Sequence, residues 1–112
     1  MPEAALTERQ CVPCEGGVAP LAPAAIAEYL KQLQCPWEVI NNKKIRHEFT
    51  FGDFSEAMFF VNEVAATAEA ENHHPDMHIY FKKVVIELWT HAIGGLSEND
   101  FILASKIEVC DF

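Results

Sequence analysis

The chain has 112 residues, half of them hydrophobic, with eight Phe and two Trp, and a formal net charge of −9. That length fits one domain with a core, and that apolar content argues against disorder. The acidic balance argues against a phosphate-backbone binder, which needs Lys and Arg, and equally disfavours an anionic membrane surface, so neither nucleic acid nor membrane is an expected partner.

The opening residues, Met1 to Glu8, lack the basic and apolar blocks of a signal peptide. No apolar run approaches the ~20 residues that would span a bilayer. The expected location is therefore the cytoplasm, with the four cysteines reduced. Cys11 and Cys14 form a lone C-x-x-C pair, and Cys35 and Cys110 stand apart from each other. Structural zinc wants four ligands, so the pair alone closes no site. Residues 1–20 read as a flexible arm carrying the C-x-x-C, and residues 21–112 as a single domain.

Pro23 suits the first turn of a helix over 23–34, with Ile26, Leu30 and Leu33 as its apolar stripe and Pro36 beyond its end. Trp37 to Ile40 reads as a strand, Asn41-Asn42 as a turn, and Lys44 to Phe51 as a second strand. His47 there reads as a strand-surface residue near the end of the sheet. Asp53 and Glu56 are spaced as a capping box and open the best-marked helix. Phe54, Met58, Val61, Ala65 and Ala68 give it one stripe; Phe59, Phe60 and Val64 widen the apolar surface beyond what one sheet would cover. Pro75 ends this helix near residues 72–74. A third strand follows to Phe81, then a tight connection at Lys82-Lys83. A fourth strand runs from Val84 to His91, placing His91 with Trp89 and Glu87 on the face away from the helices. Gly94-Gly95 forms a turn, and Ser97 caps a last helix with Asp100 at its third position. The order α-β-β-α-β-β-α, with hairpins, predicts an α+β fold: a four-stranded antiparallel sheet with three helices packed on one face.

His73, His74 and His91, with Glu69 and Asp100, concentrate titratable chemistry in one third of the chain. A single histidine would read as structural. Metal binding is a weaker reading, because the spacing lacks the helical i, i+4 pair that aims two rings at one ion. Adjacent histidines at a broken helix end can both reach one cavity, and imidazole gives or takes a proton near neutrality. Glu69 lies one turn before His73, on the same helix face. The pattern points to acid/base chemistry on a small flat substrate, with no metal.

The composite runs Glu69, three residues, His73-His74-Pro75, five residues, Phe81, nine residues, His91, eight residues, Asp100. It resembles the signature of the pterin-4a-carbinolamine dehydratases, a family also known as the dimerisation cofactor of a homeodomain transcription factor. The resemblance extends over about residues 20–112. It includes Trp37, Asp53-Phe54 and the Gly95 to Glu98 turn.

The resemblance implies dehydration of a 4a-hydroxytetrahydropterin, left by an aromatic amino acid hydroxylase, to the quinonoid dihydropterin. The pterin is the substrate and no cofactor is required. His73, His74 and His91 are the implied catalytic residues, His74 and His91 around the hydroxyl and His73 near N5. Glu69 and Asp100 orient or tune them. Asn72, Pro75, Trp89, Thr90 and Ala92 line the implied pocket, and Phe81 and Trp37 supply flat walls. A homodimer or homotetramer is the implied assembly, and coupling to the hydroxylase the implied partnership. Two alternatives remain open: a binding or regulatory protein acting through its helical face, and a dehydratase of another pterin in molybdenum cofactor metabolism. The chain departs from the family pattern at Asn72, Phe81 and Asn99, where Asp, Tyr and Arg are common.

Overall fold

The structure is a computed structural model and describes residues 5–11 and 19–110. Asn41 and Asn42 both take left-handed backbone, φ 53° and 56°, as the central pair of a type I′ turn demands. The Lys43 N–H closes that turn on the Ile40 carbonyl at 2.9 Å. It joins β1 (Glu38–Ile40) to β2 (Lys44–Thr50), and a second hairpin joins β3 (Asp76–Tyr80) to β4 (Lys83–Leu88). All pairings are antiparallel, in the spatial order β1-β2-β4-β3. With α1 (Pro23–Leu30), α2 (Phe54–Glu71) and α3 (Glu98–Glu108), the element order is the expected α-β-β-α-β-β-α of an α+β domain.

One face of the sheet supplies Ile45, Phe49, Val84, Ile86 and Leu88 to the core, meeting Phe60 and Val64 of α2 and Phe101 and Ile107 of α3. α3 is buried almost all round, from Asn99 through Ser105 and again at Ile107, as befits a helix covered on several sides. The other face of the sheet is charged, with Glu87 between Lys44 at 3.3 Å and Arg46 at 3.8 Å.

Several boundaries differ from expectation. α1 stops at Leu30 rather than residue 34, because Gln32 and Leu33 bond back only three residues, a tightened last turn. The chain then bends so that the Glu108 carboxylate accepts from the Gln34 and Cys35 amides and from Trp37 Nε1. On α2 the buried stripe is Ala57, Phe60, Val61, Val64 and Ala68, while Phe54 and Phe59 are half exposed. The expected stripe was rotated: the small Ala57 and Ala68 let that side of the helix lie close to its neighbours. At its N-terminus Asp53 accepts from the Glu56 N–H at 2.8 Å, but Glu56 reaches the Gly52 N–H rather than that of Asp53. The β3–β4 turn is Phe81-Lys82, not Lys82-Lys83, with Phe81 itself at φ 55°. His47 faces the helices, 5.6 Å from Trp37 and 4.7 Å from Phe49 between ring centroids, not the outer surface.

Residues 5–11, expected to be part of a flexible arm, pack across α3. Leu6 is buried, Arg9 pairs with Glu98 at 3.1 Å, and the Cys11 N–H donates to Glu71 at 2.8 Å. Cys14 lies outside the described residues, so the C-x-x-C pairing does too.

Candidate active site

The carboxyl end of α2 sets two of the three histidines. Asn72 adopts the left-handed conformation, φ 53° and ψ 40°, which Asn tolerates better than most non-glycine residues. The His73 N–H then bonds back to the Ala68 carbonyl at 3.2 Å, a six-to-one closure that ends the helix, and Pro75 prevents its resumption. The turn takes His73 and His74 off the helix surface.

His73 is nearly buried, and its Nε2 lies 2.7 Å from Asp100 Oδ1. Asp100 is fully buried at the third position of α3. Its other oxygen accepts from the Ser97 N–H at 2.9 Å and from the Thr90 hydroxyl at 2.8 Å. The helix N-terminus favours a negative charge there. An ionised carboxylate can only accept, so Nε2 of His73 carries the proton and Nδ1 is the nitrogen left for other chemistry. His74 Nε2 meets Glu69 Oε1 at 2.7 Å, but both side chains are more than half exposed, and such a pair contributes little to stability.

His91 does not come from a strand face as expected. β4 ends at Leu88, Thr90 bridges to Gly95, and His91–Ile93 is a short 3-10 turn. That turn brings the His91 ring onto the Trp89 indole, with centroids 3.8 Å apart and planes 30° from parallel. The indole is in turn tethered by Nε1 donating to Asp76 Oδ2 at 3.3 Å. The backbone at 95 is tight, since a Cβ there would sit 2.7 Å from Pro20 Cβ.

A cavity of about 480 Å³ opens between these pieces, in the size range of small-molecule sites. Asn72, His73, His74, Pro75, Trp89, Thr90, His91 and Ala92 line it, so eight of the eleven anticipated residues meet in one place. Glu69 and Asp100 stand behind His74 and His73. Glu69 therefore partners His74, not His73: the left-handed residue at 72 breaks the helical i, i+4 relation. Phe81 does not join the site; it sits 69 % exposed in the β3–β4 turn, at the opposite end of the strands. Trp37 is a core residue and not a wall of the cavity.

Asp76 and Asn99 also line the cavity and were not anticipated as site residues. Asn99 stood out only as a departure from the family pattern beside Asp100, and Asp76 only by its adjacency to Pro75. Cys11 lies close by, its thiol donating to the Asn99 carbonyl at 3.5 Å. Burial, then the Glu71 carboxylate, pushes its pKa up to about 12, so it is a neutral thiol and no nucleophile at physiological pH. Among the described residues no group of three or more His, Cys, Asp or Glu is arranged to hold a metal ion, and no helix is long and apolar enough to cross a membrane.

Comparison with known proteins gives the same family from three directions. Residues 19–110 match the family model described as pterin 4 alpha carbinolamine dehydratase. A protein of Rickettsia canadensis, provisionally named a pterin-4-alpha-carbinolamine dehydratase, is 47% identical over 103 residues, which is 92% of this chain and 94% of that protein. A protein of Nitrosomonas europaea with the same provisional name is 47% identical over 104 residues, 93% of this chain and 91% of its own length. Among solved structures, a protein of Brucella melitensis described as a transcriptional coactivator/pterin dehydratase superposes with a TM-score of 0.78 at 30% identity, covering 83% of this chain and 99% of that one. A pterin dehydratase-like protein identified as a RuBisCO assembly factor shares the fold at 20% identity and a TM-score of 0.58, over 66% of this chain and 87% of its own. With almost the whole domain matched, this chain belongs to the pterin-4a-carbinolamine dehydratase family.

Proposed function

We propose that this chain removes water from a 4a-hydroxytetrahydropterin by histidine acid/base catalysis, giving the quinonoid dihydropterin. One observation carries the reading: three imidazoles, two from the turn that ends α2 and one from the 3-10 turn after β4, line a single cavity, and one of them is anchored on a buried carboxylate. In the reaction the C4a–O bond breaks, the N5–H proton leaves, and a C4a=N5 double bond forms. Hydroxide leaves poorly, so an imidazolium donates a proton to the departing oxygen, and a neutral imidazole accepts the one from N5. Each such transfer is worth roughly 10²–10⁴ in rate.

His73 suits the base, because Asp100 faces its Nε2–H and would stabilise the imidazolium that forms. His91 and His74 suit the hydroxyl side. Neither step needs a redox cofactor or a metal. The reading places the protein in pterin recycling beside an aromatic amino acid hydroxylase, as a homodimer or homotetramer in the cytoplasm.

The test generates the 4a-hydroxypterin with a hydroxylase and follows the quinonoid product. The wild-type chain should exceed the spontaneous rate, and His73→Ala and His91→Ala should each remove about 10²–10⁴ of that acceleration. Dehydration at the spontaneous rate with the wild-type chain would refute the assignment. A second reading, a regulatory protein acting through α2, is favoured by the half-exposed Phe54 and Phe59. It predicts a function indifferent to both histidine changes.

A further inference from the structure

A second cavity adjoins the first. It measures about 270 Å³ and is lined by Ile40, Asn41, Lys43, Lys44, Asp76 and Trp89. Asp76 and Trp89 also line the larger cavity, so the two share a wall. The topology explains the junction: the end of β1, the start of β2, the end of β4 and the start of β3 all lie at the same end of the sheet.

The charge of this lining is at odds with the rest of the molecule. The whole chain has eight Lys and Arg against seventeen Asp and Glu. Two of those eight fall among the six residues of this one cavity. Lys44 leans on Glu87 at 3.3 Å. Lys43 has no ion-pair partner among the described residues, and it sits on the turn that Asn41 and Asn42 fix in one conformation. The one carboxylate in the lining, Asp76, is already engaged by the Trp89 indole N–H.

We propose that this second cavity is a subsite for an anionic substituent of the pterin, a phosphate or a carboxylate on the side chain at C6, recognised by Lys43 and Lys44. The inference rests on the dehydratase reading, which places the ring in the larger cavity. C6 is bonded to N5, so a substituent there leaves the ring beside the reacting bond. The shared Trp89 wall gives it a way across. A net charge of −9 repels an anion elsewhere, so the lysine pair sets which pterins are held and not merely that they are held.

The experiment measures inhibition and direct binding of three stable ligands: 7,8-dihydroneopterin, its terminal monophosphate, and dihydrofolate, whose glutamyl tail ends in carboxylates. At low ionic strength at least one anionic ligand should bind about three- to tenfold more tightly than the neutral one, as expected of one or two solvent-exposed ion pairs. Which of the two is preferred identifies the anion. The preference should vanish in the Lys43→Ala/Lys44→Ala double variant and shrink as salt is raised. It should survive in Lys31→Ala, a lysine outside both cavities. If all three ligands bind equally, or if the preference persists in the double variant, the subsite is refuted while the dehydratase reading stands. If none binds, that reading falls, and the subsite with it.

Discussion

At Asp100 one carboxylate oxygen closes the first turn of α3 and receives the Thr90 hydroxyl, and the other holds the His73 ring. Asp100→Asn separates the two tasks. The amide oxygen can still accept from Ser97 and Thr90, but its NH₂ then faces His73 and forces the ring proton to Nδ1, the nitrogen that the proposed mechanism needs free. The expected result is a fall in kcat of about 10²-fold, the low end for one proton transfer, with KM little changed; steady-state kinetics and a thermal melt read the two effects apart. Neither the Asp100–His73 pair nor the Glu69–His74 pair was legible from spacing. The first joins residues 27 apart through tertiary packing, and the second depends on the single left-handed residue at 72. That the histidines and Asp100 belonged together was legible, through their composite spacing. Phe81 was misplaced because alternation in β3 continues through it, whereas its own backbone has already turned.

α2 shows why a helix can be recognised and still be rotated wrongly. Apolar residues occupy so much of its circumference that two stripes compete, and only the packing partner decides between them. Phe60 is fully buried and Phe59 is 52 % exposed. Phe60→Asp should therefore unfold the domain or cost more than ~3 kcal/mol by burying a charge in the core, whereas Phe59→Asp should change stability by about 0.5 kcal/mol or less. Urea denaturation followed by circular dichroism distinguishes them, and equal losses would contradict this orientation of the helix. Elements whose ends carry their own chemistry were read correctly: the Asn41-Asn42 hairpin, the Asp53 cap, and the Ser97–Asp100 capping box. The end of β4 carries no such marker. Its pattern continues through His91, but the bridge from Thr90 to Gly95 diverts the chain into a 3-10 turn.

Across the whole molecule, the α+β order was legible from hairpins and helix caps, but the closure of residues 5–11 over α3 was not. Besides the burial of Leu6 and the Arg9–Glu98 pair, it uses Glu71, which joins three parts of the chain by accepting from Lys106 at 2.8 Å and from the Cys11 N–H at 2.8 Å. The Lys106 hydrogen bond, then that of Cys11, holds the Glu71 carboxyl below its ordinary 4.5. A lowered folded pKa gives stability that is complete above the ordinary value and is lost as the pH falls through the folded one. Glu71→Gln should thus flatten the acid side of a stability profile measured between about pH 3 and 7, and weaken amide protection at Cys11. An unchanged acid limb would show that the Glu71 carboxylate does not stabilise the closure by its charge.

Pro20 lies against Gly95, and the Leu21 N–H donates to the Leu96 carbonyl at 2.8 Å. The residues before α1 thus brace the loop that carries His91 from behind. Selection or engineering at that brace can shift the His91 loop without touching any residue that lines the cavity. Two chains with identical histidines can thus hold them differently because of a proline 71 residues upstream, packed behind the loop that carries one of them.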